Sequence, residues 1–175
     1  NACATSTYSP VLHLRSRSAF CRNFKLEGDW PIQSGSAQTL SFETQVSESF
    51  TVTQAELLNI RGEHENTGIL EFNLIYPDNS RRILLSFPCP GESEYLFGVS
   101  SRPAAPLSCP LNRGLVYESE ADLAGPLPQN SNGAWALEII NNDRNTGGVF
   151  YGYEINLCGD AINRTNEIEE EANET

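Results

Sequence analysis

Asn141, Asp143 and Asn145 alternate in the stretch "GAWALEIINNDRNTGG", residues 133–148, so three oxygen-bearing side chains could converge on one point. Calcium is the cation such a set suits, because it takes roughly six to eight oxygen ligands. Asn, Asp and Gly are also what a tight turn demands, and one carboxylate is a meagre charge for a dication. The stretch therefore reads first as a hairpin turn, with calcium at Asn141, Asp143 and Asn145 as the further expectation.

The five cysteines, Cys3, Cys21, Cys89, Cys109 and Cys158, contain no CxxC pair, and the two histidines, His13 and His64, lie far apart. That spacing argues against zinc. In an oxidising compartment such a set makes two disulfides with one thiol left over. We expect Cys89 with Cys109, closing a Pro-rich loop, and Cys21 with Cys158, tying the first strand region to the last. Cys3 is then free or paired outside the chain, and buried reduced thiols are the alternative to the whole scheme.

Nucleophilic or metal-assisted catalysis finds little to work with. There is no G-x-S-x-G elbow, no HExxH and no Gly-rich phosphate loop. His13 sits in an ambiguous N-terminal segment. His64, flanked by Glu63 and Glu65 in "RGEHENTG", reads as a solvated histidine on an exposed turn rather than a general base. Carboxylate pairs are too common in this chain to mark a glycosidase. The expectation is a protein without catalytic residues.

The 175 residues suit one medium-sized domain plus tails. The balance of 11 basic against 23 acidic side chains, net charge −12, disfavours nucleic acid and anionic membrane surfaces. It leaves calcium, sugars and other proteins as partners. No apolar run is long enough to span a bilayer, and no signal-peptide pattern opens the chain. The absence of methionine fits a mature or excised piece of a longer precursor, in keeping with secretion to the extracellular space or cell surface. Asn163 and Asn173 head glycosylation sequons that matter only in a eukaryotic source.

The elements that must position these groups follow a period of two. Leu40, Phe42 and Val46 share one parity, then Phe50 and Val52, then Leu58 and Ile60. "ILEFNLIY" puts Leu70, Phe72, Leu74 and Tyr76 on one face; "YPDNSRR" turns the chain, and "RILLSF" returns with Ile83, Leu85 and Phe87 inward. "EYLFGV" and "GLVYES" are short strands in a Pro-, Gly- and Ser-rich region. Two clear strands close the chain, one with Trp135, Leu137 and Ile139 inward, the other with Val149, Tyr151, Tyr153, Ile155 and Leu157. Trp135 and Tyr153 read as packing residues. The organisation is an N-terminal segment of uncertain structure over 1–20, a β-sandwich over 21–160, and an acidic tail or linker over 161–175. About eight short strands with no helical segment predict an all-β antiparallel sandwich.

The order "RGEHENTGILEFNLIYPDNSRRILLSF", a long variable loop, then "GAWALEIINNDRNTGGVFYGYEINL" resembles the P domain, or Homo B domain, that follows the catalytic domain in kexin- and furin-like proprotein convertases and many bacterial secreted proteases. His64, Gly68, Leu70, Pro77, Arg82, Leu84, Gly133, Trp135, Leu137, Asp143, Gly147 and Leu157 fall at matching places, over roughly residues 40–158. The family's Gly-Asp-Leu is Gly68-Ile69-Leu70 here, which removes a carboxylate, and its Gly-Thr turn is Asn79-Ser80. The pair Cys89 and Cys109 makes the central loop a stapled insertion.

The resemblance implies a jelly-roll-like sandwich without catalytic residues, a secreted accessory module that stabilises or assists an attached protease domain or serves as an attachment module in a larger precursor. A jelly roll of this shape can instead hold surface glycans or a protein ligand. That alternative requires an exposed aromatic platform among Tyr95, Phe97, Tyr117, Phe150 and Tyr151.

Overall fold

The structure is a computed structural model, and it describes residues 19–161 apart from positions 36, 121, 122 and 124. The expectations for Cys3, His13, Asn163, Asn173 and the two tails lie outside the described residues. Among the described residues nine strands form two sheets: β1 (Ala19–Ile32), β2 (Gln38–Val46), β3 (Phe50–His64), β4 (Leu70–Ile75), β5 (Arg81–Ser86), β6 (Glu94–Ser100), β7 (Leu115–Glu118), β8 (Gly133–Asn141) and β9 (Gly148–Ala161). The five-stranded sheet runs β1-β9-β3-β6-β7 and the four-stranded sheet β2-β8-β4-β5. The chain crosses between sheets at most connections, so consecutive strands share a sheet only at β4–β5 and β6–β7. Pairing is antiparallel except between β6 and β7, which are parallel because the loop from 101 to 114 carries the chain back along the sheet before β7 begins.

The apolar parity expected for β4 holds: Leu70, Phe72, Leu74 and Tyr76 are all buried. So are Trp135, Leu137 and Ile139 of β8, with the Trp135 indole N–H donating to Ser131 O at 2.8 Å. Tyr153 carries its hydroxyl into the core because it donates to Phe42 O (2.9 Å) and shares a hydrogen bond with Thr44 Oγ1 (2.8 Å). A buried phenol stabilises only when so paired.

Parity breaks where bulges insert a residue. In β3, register shifts after Val52 and Leu58 bury Ala55 and Leu57, leaving Leu58 only half-buried. In β5, a shift between Phe72 and Asn73 of the partner strand buries Leu84 beside Leu85 and turns Ile83 outward (38% exposed), while Phe87, past the end of the strand at φ +52°, is 52% exposed. In β9, Gly152 adopts φ +138°, and Phe150 goes inward instead of Val149 and Tyr151. A Cβ at Gly152 would meet Leu26 O at 2.2 Å, so glycine is required at that bulge.

The disulfides are Cys21–Cys158 and Cys89–Cys109, the pairing expected. The first spans directly opposed residues of β1 and β9. The second anchors the segment after β5 to the loop that precedes β7, where Leu111 is fully buried.

Candidate interaction site

The arch between β8 and β9 contains the polar cluster, and it is not a hairpin: β8 pairs with β2 and β4, β9 with β1 and β3, so residues 142–147 bridge the two sheets. A hairpin was expected because alternation flanks the turn on both sides. Alternation marks strands without saying which sheet each joins.

Within the arch the oxygens meet the turn's own donors. Asn141, fully buried, accepts from Asp143 N (3.2 Å) and donates Nδ2 to Thr146 O (2.9 Å). Asp143 Oδ1 accepts from Asn145 N (3.1 Å) and Asn145 Nδ2 (3.3 Å), while Oδ2 accepts from Thr146 Oγ1 (3.2 Å). The Asn145 backbone N–H is the main reason the Asp143 carboxyl lies below its ordinary range. The structure thus gathers Asn141, Asp143 and Asn145 in one turn, where the Asn141 and Asp143 carboxyl and amide oxygens already serve backbone and hydroxyl donors. No group of three His, Cys, Asp or Glu side chains converges as a metal set among the described residues.

His64 ends β3 and is 2% exposed, so it is not the solvated turn histidine expected from its Glu neighbours. Its inward parity is set by the same strand phase that buries Ile60. Nδ1 lies 2.9 Å from Asn66 O, while Nε2 is buried without a partner among the described residues. Desolvation holds the imidazole below its ordinary pKa, against the opposing pull of the Asn66 carbonyl, Glu65 and Asp143. The Asn66 N–H also approaches Nδ1 at 3.2 Å, so Nε2 is an acceptor in the tautomer that donates to Asn66 O and a donor in the other.

The residues after His64 fasten three segments together. Glu65 N donates to Gly147 O (3.0 Å), His64 N to Ser93 O (2.8 Å) and Thr67 N to Glu92 O (2.9 Å). Asn66 Oδ1 accepts from Gly68 N (3.0 Å) and Gly91 N (3.1 Å), and Thr67 Oγ1 reaches Cys89 O at 2.9 Å. Gly148 pairs with His64 so closely that a Cβ there would sit 2.0 Å from Glu63 O.

Two clefts open at this end of the five-stranded sheet. One, of about 370 Å³, is lined by Glu63, His64, Glu65, Ser93, Glu94 and residues 147–149. The other, of about 250 Å³, shares Glu63 and Glu94 and adds Arg61, Asn112 and Tyr151. Glu63 and Glu94 are directly opposed across β3 and β6, both exposed, an arrangement that like charges disfavour. Tyr151 hydrogen-bonds to Glu63, whose charge raises the phenol's pKa. Of the five aromatics considered for a platform, Tyr95, Phe97, Tyr117 and Phe150 are buried, and only Tyr151 reaches solvent. The Glu63–Glu94 pairing escapes sequence reasoning, because it depends on the register of strands 30 residues apart, and the run "RGEHE" is the sole local signal.

The fold occurs in solved structures of a serine protease. The serine protease of Aeromonas sobria in complex with its chaperone matches over 86% of this chain and 28% of that chain, with TM-score 0.55 and 14% identity. The serine protease of Aeromonas sobria in another crystal structure matches over 85% and 28%, with TM-score 0.53 and 14% identity. No protein-family model matches the chain, and no curated protein matches it. At this identity the likeness establishes a common sandwich fold, and the chain spans a little over a quarter of the protease chains it resembles.

Proposed function

We propose that the chain is a non-catalytic, secreted accessory module of P-domain type, which stabilises or assists a protease attached to it in a larger protein. The observation that carries this reading is the sandwich shared over most of this chain with about a quarter of a serine protease chain. A domain that forms only part of such a protein has a surface for the remainder to pack on. The two disulfides fit an extracellular setting, where they persist. The position of the one described histidine also supports it, since His64 is buried and, among the described residues, no nucleophile is hydrogen-bonded to it.

The test is deletion of residues 19–161 from the natural precursor. Loss of folded, soluble protease supports the accessory role, and an unchanged yield of active, equally heat-stable protease overturns it. Robust peptide or glycan hydrolysis by the isolated chain, abolished by His64→Ala, also overturns it. Calcium at Asn141, Asp143 and Asn145 belongs to the same proposal as a stabilising ion. A rise in Tm on adding Ca²⁺, lost in Asp143→Asn, supports it; an unchanged Tm with Ca²⁺ and with chelator removes it.

A further inference from the structure

We propose that Asn132 is a self-modification site, where the chain slowly turns an asparagine into aspartate and isoaspartate, and that this change loosens the junction between β8 and the β2–β3 connection. Asn132 is exposed, lies outside any strand and immediately precedes Gly133, the first residue of β8. Every other asparagine in the chain precedes a residue that carries a Cβ. Only after Asn132 is the next backbone nitrogen unshielded by a side chain, so its approach to the Asn132 amide carbon is the least obstructed. Gly133 N gives up its proton to solvent base and attacks Asn132 Cγ, and a five-membered succinimide closes as ammonia leaves. Water then opens the ring at either carbonyl, giving aspartate or isoaspartate. The sum is a water taken up and an ammonia released, with no oxidant or cofactor, and the product carries a new negative charge.

The fold itself retains the vulnerable pair. Gly133 adopts φ +130°, and a Cβ there would lie 2.7 Å from Pro77 Cβ, so a side chain at this position is strained and crowded. Among the described residues the Asn132 side chain is held by a single hydrogen bond, from Nδ2 to Ser47 O at 2.9 Å, which slows ring closure by about tenfold at most. The neighbouring Ser131 decides what the conversion does. It is fully buried: Oγ accepts from Phe50 N (3.0 Å) and donates to Glu48 O (2.7 Å), and its own N donates to Phe50 O (3.0 Å). Its carbonyl accepts the Trp135 indole N–H at 2.8 Å. Aspartate at position 132 replaces the donor to Ser47 O with an anion that this carbonyl repels. Isoaspartate also adds a methylene to the main chain between the Ser131 clip and Trp135, and a close-packed core has no room for both to stay in place.

This chemistry needs no attached protease. The whole folded chain is incubated in mildly alkaline buffer, with a second sample unfolded in urea. The tryptic peptide 114–144 is then sequenced by mass spectrometry and probed with an isoaspartyl methyltransferase. The expected result in the folded chain is conversion at Asn132 with isoaspartate among the products, a fall in Tm of about 2–4 °C, and a displaced Trp135 indole N–H resonance. Asn132→Gln, whose longer side chain does not close the five-membered ring, should keep its own Tm and its resonance through the same incubation. Asn132→Asp should lower Tm at once, because it loses the Ser47 contact without lengthening the main chain. An Asn132 amide that stays intact in the folded chain and converts only in urea overturns the proposal, as does aspartate as the sole product, which marks direct hydrolysis without the ring. An unchanged Tm after conversion, or an equal fall in Asn132→Gln, overturns the loosening of the junction.

Discussion

The β8–β9 arch and the β3–β6 cleft are neighbours at one end of the sandwich, and they use the same kinds of side chain in opposite ways. In the arch, Asn141 and Asp143 spend their oxygens on N–H and O–H groups within five residues. In the cleft, Glu63 and Glu94 come from strands far apart in sequence and stand opposite one another, with no salt bridge to either among the described residues. A polar cluster made by neighbours in sequence closes on itself; one made by sheet register need not.

The largest effect should come where the two regions touch. Gly148→Val drives a side chain into the Glu63 carbonyl, and the expected cost is about 3 kcal/mol, measured by urea unfolding. Asn141→Ala strips the arch of its buried organiser and should cost about 2 kcal/mol, since Asp143 N and Thr146 O lose their partner. If Asn141→Ala were silent, the arch would not be self-satisfied as described.

His64 sits between the regions and makes stability depend on pH. Its folded pKa lies below the unfolded value near 6.5, so the unfolded chain binds the proton more readily. Its contribution is fully present above pH 6.5 and is lost as pH falls toward the folded pKa. Thermal melts from pH 8 to 5 should show this slope, and His64→Gln should flatten it. Asp143 behaves in the same sense at lower pH. Its depressed pKa favours folding above about 3.8, and the gain disappears as pH falls through the folded value. Asp143→Asn should therefore have a smaller effect than Asn141→Ala at neutral pH, and none once the carboxyl is protonated.

The smallest effect, and the sharpest contrast, is Glu63→Gln/Glu94→Gln. Relief of an exposed like-charge pair should leave stability unchanged or raise it by up to about 0.5 kcal/mol. A clear loss of stability instead would mean that the two carboxylates have structural partners and that the cleft resembles the arch.

Much of the scaffold was legible from local pattern. Strand β4 shows why: Leu70, Phe72, Leu74 and Tyr76 alternate without interruption, and a strand with one buried face must place such residues inward. The turn "YPDNSRR" was legible for a similar reason, because Asp78 Oδ1 takes Ser80 N at 2.8 Å and Asn79 adopts φ +64°, both short-range preferences. The pairing Cys21–Cys158 was expected as a tie between the first strand region and the last, and Cys89–Cys109 as the closure of a Pro-rich loop, and both disulfides are present.

Tertiary structure decided what depends on partners far along the chain. Bulges turned Ile83, Val149 and Tyr151 out of the core, and a bulge exists only against a partner strand that lacks the extra residue. Membership of β8 and β9 in different sheets made the predicted hairpin an arch. Strand phase buried His64, and register set Glu63 against Glu94. Side-chain alternation is a local property written residue by residue. Sheet membership and register are settled by packing the two apolar faces together, and the open charges of the cleft exist only once that packing is complete.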